Sequence, residues 1–588
     1  MAMKKPKGMG KATKAPAGEP AGVRALLRPP ATVMRLSRLG SFHPTRLSFA
    51  RSLVRRMGRE AWQFRQSLFA LDDQGFGRAV YEIATPKGIV SFAAFSNYLA
   101  PNERTDRVIA EKWDAAFALA AGPLGDAAID RLAATAPRQE AARYSADEVV
   151  LSRANKSLRL FDSVAAALAA GRQPDMGEVA RVGYLMRTTA VYGNGKFGLA
   201  DLGRLWRDGI FALPYEAEML MVYMIRQFSF DLIEHIAKRK NPAGAVILSA
   251  EAKRALGIGN ATGLGMAPFL VGHPRLLNNW ILARETALAR VRAVVQATSP
   301  KIERFQALLD RAIGHVGEWS TDDARQMRRI ERLREELAAV RRQVTDDRAL
   351  LSGPHPWDRL VRGSEETGSL EASELVNSLI VELYPELVDE LENSTGSPER
   401  EFIDPVMTLG ELQTLIERSY GWALGVDYGD PAARYFFWYR SAEKDEPRLG
   451  ERFNEPGAER ELPLGIGRMA SALHGELAGL TAGQRKTSVG EFLLAHPQWR
   501  GILRRIQSLA GLPYAEIHDN LLGRECLPVD LLRCKLSIFG AAKFDPKSDR
   551  WTRIALFQGA PAIEALGDAD ADDWAFPCFT RASRGEGG

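Results

Sequence analysis

Apolar residues along this chain recur mostly at steps of three and four, the spacing that gathers them on one face of a helix. From about Ala141 to Gln343 the pattern is almost entirely helical. One stripe reads Leu277, Ile281, Leu288, Val291 and Val295, on a helix predicted to begin at Pro274 and run toward Gln296. A second, opened by Pro214, carries Met219 to Ile225, Phe228 and Leu232, and a helix apolar nearly all round is expected to cross the middle of its domain. Asp175 with Glu178 reads as the capped start of a third, with Val179, Val182, Met186 and Thr189 on one face. Ser299-Pro300 begins a helix to about Val316. The charged stretch Asp322 to Gln343 carries Met327, Ile330, Leu333, Leu337 and Val340 along one seam, predicting an arm that packs on its own domain or mediates a homo-oligomer through residues 322–343.

Alternation of period two is rarer. Ala79 to Ala84 and Ile89 to Tyr98 flank Thr85-Pro86-Lys87-Gly88, which predicts a hairpin on a type I turn. A helix through Val108, Ile109, Trp113 and Phe117 is expected after it. Arg434 to Arg440 and Trp551 to Gln558 read as further strands. The fold class that follows is mainly α with a minor antiparallel β-sheet: a central helical domain (141–350) flanked by α+β segments (41–140 and 351–588), behind a disordered basic tail (1–40).

At 588 residues the chain exceeds what one core holds. The formal net charge is +5, yet Met1 to Met57 carry about thirteen Lys and Arg against the single acid Glu19, so the remainder is acidic overall. That argues against a nucleic-acid partner beyond the tail. Cys526, Cys534 and Cys578 form no CxxC pair and indicate neither a disulfide framework nor a cysteine zinc site. With no apolar signal core and no run of about twenty apolar residues, a cytoplasmic protein without a membrane partner is expected.

Candidate chemistry concentrates between Gly257 and Arg290. Gly257, Gly259, Gly263 and Gly265 surround Asn260 and Thr262, and a backbone so free of side chains can turn its N–H groups onto an anion. Arg284 falls on the apolar stripe of the next helix, where its permanent charge requires a buried partner, and His273 lies one turn before Leu277 on that side. Asn194 and Lys196, in the glycine-rich Tyr192 to Gly198, are placed to complete the anion site. Asp231 and His235, four apart on the apolar helix, have the spacing of a carboxylate–imidazole pair for proton transfer. Gly272-His-Pro-Arg275-Leu-Leu-Asn278-Asn279 resembles the glycine, lysine and paired-asparagine element of β-hydroxyacid dehydrogenases over eight residues. Arg275 replaces that family's lysine and no GxGxxG turn precedes it, so the likeness carries no expectation of a nicotinamide cofactor.

The expectation is therefore an intracellular enzyme acting on a small phosphate- or carboxylate-bearing metabolite. Gly257, Gly259, Asn260, Thr262, Gly263, Gly265, Arg284, Asn194 and Lys196 would bind it, while His273, or His235 with Asp231, would move protons. The alternative is a non-catalytic helical scaffold with a basic tail. No motif assigns a reaction, a cofactor or a metal.

Overall fold

The computed structural model describes residues 19–103, 112–136, 148–188, 205, 208–263, 271–319, 321–396, 401–430, 438–440, 447–449, 459–461, 465–518, 530–546, 551–568, 571–572 and 574. Its centre is a nine-stranded sheet. Six strands come from the first third of the chain: β1 (Gln63–Leu71), β2 (Gly77–Thr85), β3 (Gly88–Ser96), β4 (Ala115–Ala121), β5 (Glu148–Lys156) and β6 (Tyr184–Thr188). β7 (Gly257–Gly263) follows, and after a small separate sheet of β8 (Trp438–Arg440), β9 (Pro447–Leu449) and β10 (Glu459–Glu461), β11 (Ala541–Pro546) and β12 (Trp551–Leu556) return to it. The order is β1-β2-β3-β4-β5-β6-β7-β12-β11, antiparallel throughout except for the parallel pair β6–β7.

This overturns the expectation of a minor antiparallel sheet beside a helical centre. The sheet is large and mixed, and three of its strands lie within the stretch read as helical. In β4 the sequence AAFALAA suits a helix by propensity, but here Ala116, Ala118 and Ala120 face one core while Ala115, Phe117 and Leu119 face another. Gly183, at φ 83°, ends the helix begun by Asp175, so Met186 lies in β6 rather than on that helix's face. Residues 104–111, where the helix after the hairpin was to start, lie outside the described residues.

Helices cover both sheet faces. Three short turns, α1 (Ala21–Ala25), α2 (Pro30–Val33) and α3 (Leu36–Leu39), lead into α4 (Phe49–Arg59). α5 (Asp126–Thr135) packs Ile129 and Leu132 on the face formed by Val80, Ala93, Phe95 and Leu151. Beyond α6 (Phe161–Ala169) and α7 (Met176–Val182), the long α8 (Glu216–Lys240) crosses the opposite face against β3 to β7, with nineteen of its residues buried. Next come α9 (Ala250–Ala255), α10 (Pro274–Arg292), α11 (Ser299–Gly317), α12 (Ala324–Asp346), α13 (Pro356–Thr367) and α14 (Leu370–Val381). The seam of α12 is used inside the chain: Ile330, Leu333 and Leu337 are buried, and the helix packs on α11 and α14. A helical unit with its own core follows, made of α15 (Leu409–Leu424), α16 (Gly465–Ala478), α17 (Val489–Ala495) and α18 (Arg500–Leu509). α19 (Asp530–Phe539) then carries the chain back into the main core.

The segment composed like a disordered tail is ordered from residue 19. Val33, Met34, Leu36 and Leu39 are buried, and its arginines reach acids more than 300 residues away. Composition in one window does not show charge supplied by another. Among the described residues, no helix is long and apolar enough to cross a membrane.

Candidate functional site

The glycine stretch is a strand, not a cradle. In β7, Gly257 to Gly263 pair with β12 in unbroken register, Asn260 opposite Ile554 and Thr262 opposite Thr552. A Cβ on Gly259 would run into the Tyr184 ring, and one on Gly257 into the Leu556 carbonyl. Close approach of neighbouring strands, rather than a turn, accounts for these glycines. Gly265, Asn194 and Lys196 lie outside the described residues.

Arg284 has its buried partners in the protein. It is 1% exposed, with Nη1 donating to Glu285 at 3.0 Å, Nη2 to Glu374 at 2.6 Å, and the guanidinium 3.8 Å over the Phe42 ring. Glu374 also accepts from Arg28 at 2.6 Å and Arg38 at 2.7 Å, and Arg28 holds both oxygens of Glu285 at 2.8 Å. Burial alone would raise the Glu374 carboxyl, but Arg28, Arg284 and Arg38 hold it well below the usual range. A second cluster continues this seam. Arg46 donates to Asp389 and Asp572, Arg51 to Glu382 and Asp572, and Arg55 to Glu392.

The proposed proton-transfer residues are dispersed. His273 precedes α10 and sets its ring edge against Tyr215, centroids 6.2 Å apart. His235 bonds through Nε2 to the Asp72 carbonyl at 2.8 Å and packs edge-on against Phe69. Asp231 accepts from the Tyr81 hydroxyl at 2.5 Å and from Gln227 at 3.0 Å. Burial pushes its carboxyl up to about 6, against the pull of the Tyr81 hydrogen bond. Glu216, at the start of the same helix, accepts from Arg56 and the N–H groups of Ala212 and Leu213. Among the described residues no group of three His, Cys, Asp or Glu side chains is placed to hold a metal ion.

The structure does bring together a different set. A cavity of about 290 Å³ opens where α3, α12 and the first turn of α14 meet, lined by Ser37, Ser41, Arg329, Arg332, Ser369 and Glu371. Ser369 caps α14 by accepting from the Ala372 N–H, and its own N–H and hydroxyl donate to Glu336 at 2.9 and 2.5 Å. Arg332, one turn earlier on α12, donates to the same Glu336 at 2.8 Å, yet its side chain is 64% exposed. Arg329 stands 3.7 Å from Glu371, which accepts from Arg533 of α19. Burial would raise the Glu371 carboxyl, but Arg533 and Arg329 bring it down to about 2. His43, behind this cluster, is lowered to about 3 by burial and Arg533, so it stands as neutral imidazole near neutrality.

Sequence reasoning missed this set because its members come from the presumed tail, the presumed arm and a helix near residue 533. The available signal was compensation: an arginine-rich stretch up to Arg56 balanced by the acids from Glu365 to Glu392. No family model, characterised protein or solved structure matches the chain.

Proposed function

We propose that this protein binds a small phosphate- or carboxylate-bearing metabolite in the cavity at the start of α14. The observation that carries this reading is the make-up of the cavity wall. It places the guanidinium groups of Arg329 and of the largely solvated Arg332 beside the hydroxyls of Ser37, Ser41 and Ser369, at the positive end of a twelve-residue helix. The ligand class is the one expected from sequence. The place differs, since Arg284 is satisfied by glutamates and has no need of a ligand's anion.

An acid–base enzyme is a second reading, favoured by the titration of Asp231 near 6 against the Tyr81 hydroxyl. Neither reading shares a residue with the other. The first is tested by thermal unfolding with inorganic phosphate and then a panel of phosphorylated and dicarboxylate metabolites. A ligand at one hundred times its Kd adds about 2.7 kcal/mol to stability. Arg332→Gln is expected to remove that rise while leaving the ligand-free midpoint in place, because its side chain is largely solvated. Retention of the full rise in this variant would refute the assignment.

A further inference from the structure

The helical unit meets the main body along a second cavity, of about 440 Å³, that the anion site does not use. One wall is Tyr420 and Trp422, at the break in α15 where Tyr420 leaves helical angles (φ −123°, ψ 15°). Beside them lie His518, Leu512 and Pro513, on the segment that leads back from α18. The Trp422 and His518 rings stack with centroids 4.7 Å apart and planes inclined by 14°. The helix breaks where the Tyr420 hydroxyl donates to Glu516 at 3.0 Å, and Arg505 grips both oxygens of that carboxylate at 2.7 and 2.8 Å. Glu516 is thereby neutralised and presents no free charge to the cavity.

Two polar atoms at this wall are left over. Trp422 Nε1 and His518 Nδ1 are both out of water and have no hydrogen-bond partner among the described residues. Burial, with Arg35 nearby, lowers the His518 imidazole to about 4, so it is uncharged near neutrality. An indole N–H only donates, whereas a neutral imidazole nitrogen donates or accepts according to its tautomer. Stacked aromatic walls with neutral, unsatisfied polar edges favour a flat ring that carries its own acceptor, and joints between structural units are common places for such ligands.

We propose that this cavity binds the ring of an uncharged nitrogen heterocycle of nucleobase size, stacked on the Trp422–His518 pair with an acceptor nitrogen or carbonyl toward Trp422 Nε1. Arg418, exposed at the rim, accommodates an anionic substituent on that ring but is not what recognises it. The inference is independent of the anion site, with which this cavity shares no residue.

The test is calorimetric titration of the full-length protein with adenosine, guanosine, cytidine and uridine. At least one is expected to bind with a Kd below about 1 mM. Base stacking on an aromatic side chain is of the size that makes Trp422→Leu weaken binding at least tenfold. Trp422→Phe keeps a ring and loses the N–H, so it is expected to fall between the parent and the leucine variant; it also serves if the leucine variant fails to fold. Absence of binding by all four nucleosides up to about 1 mM would overturn the proposal, and so would parental affinity in a folded Trp422→Leu or in Trp422→Phe.

Discussion

Replacing Glu374 by glutamine removes the charge of a buried carboxylate shared by three arginines. Its oxygens lie 2.6, 2.7 and 2.6 Å from nitrogens of Arg28, Arg38 and Arg284, and the side chain is wholly buried. In the parent, three guanidinium groups face Glu374, Glu285 and Glu365, a balanced set; after substitution, three cations share two carboxylates and one charge is stranded. Each contact is worth about 4 kcal/mol at an effective dielectric constant of 20, most of it offset by desolvation, and breaking a buried pair costs a net of about 3–5 kcal/mol. With three partners lost at once, Glu374→Gln is expected near the upper end. Arg284→Met is expected at about 3–5 kcal/mol in the ligand-free protein, because its compensation is a protein carboxylate. The double variant restores the balance with two cations and two carboxylates, so its cost should fall short of the sum of the single changes by more than about 1 kcal/mol. Urea unfolding of the four proteins at pH 7, followed by circular dichroism, measures these differences. Additive costs, or a Glu374→Gln protein within about 1 kcal/mol of the parent, would refute the reasoning. The sign with pH also follows. Glu371 is held below the ordinary value of 4.5, at about 2, so its contribution is complete above about pH 5 and is lost as pH falls toward 2; Glu374, held well below 4.5 by its arginines, acts in the same direction.

Removal of residues 1–40 takes away Arg28, Arg38 and the buried Val33, Met34, Leu36 and Leu39, so the truncated chain should lose its cooperative thermal transition; an unchanged midpoint would contradict the ion-pair seam. Gly259→Ala is expected to lower stability by about 1–3 kcal/mol without any ligand present, through overlap with the Tyr184 ring, and a thermal scan of the free protein checks it. Asp231 has a raised carboxyl, near 6 instead of 3.8, so its ionised form burdens the fold above pH 6 by up to about 3 kcal/mol. Asp231→Asn should therefore stabilise the protein at pH 8, with the gain vanishing below pH 4; a gain independent of pH would discount the titration.

The parts of the fold legible in the sequence are those set by neighbours in the chain. Thr85 to Gly88 marks the hairpin of β2 and β3, and steps of three and four mark α8, α10, α11 and α12, because turn chemistry and helical periodicity are local. β4 and β7 were not legible. Their alanines and glycines carry weak or contrary strand preference, and what selects them comes from distant parts of the chain: α8 packed on β4, and Tyr184 and β12 against β7. The site suffered the same blindness. Arg284 was correctly seen to need a buried counter-charge, but nothing in the spacing points to Glu374, ninety residues on. The cavity at α14 depends on Glu371 meeting Arg533 across 162 residues.

The seam between the first arginines and the acids of α14 has a consequence for how the protein is made. Arg28 and Glu374 are separated by 346 residues, which a ribosome adding about 5–20 residues per second delivers over roughly 20–70 s. During that interval β1 to β6 emerge and can pair among themselves, whereas the arginines wait in solvent without the carboxylates that allow them to be buried. β7 likewise waits for β12, nearly 300 residues later. The nascent chain thus passes through a long phase with a half-built sheet, an open strand edge at β6 or β7 and a cationic N-terminal segment. Nascent chains stalled between residues 270 and 360 should be protease-sensitive in that segment, and protection should arrive only once α14 has left the ribosome.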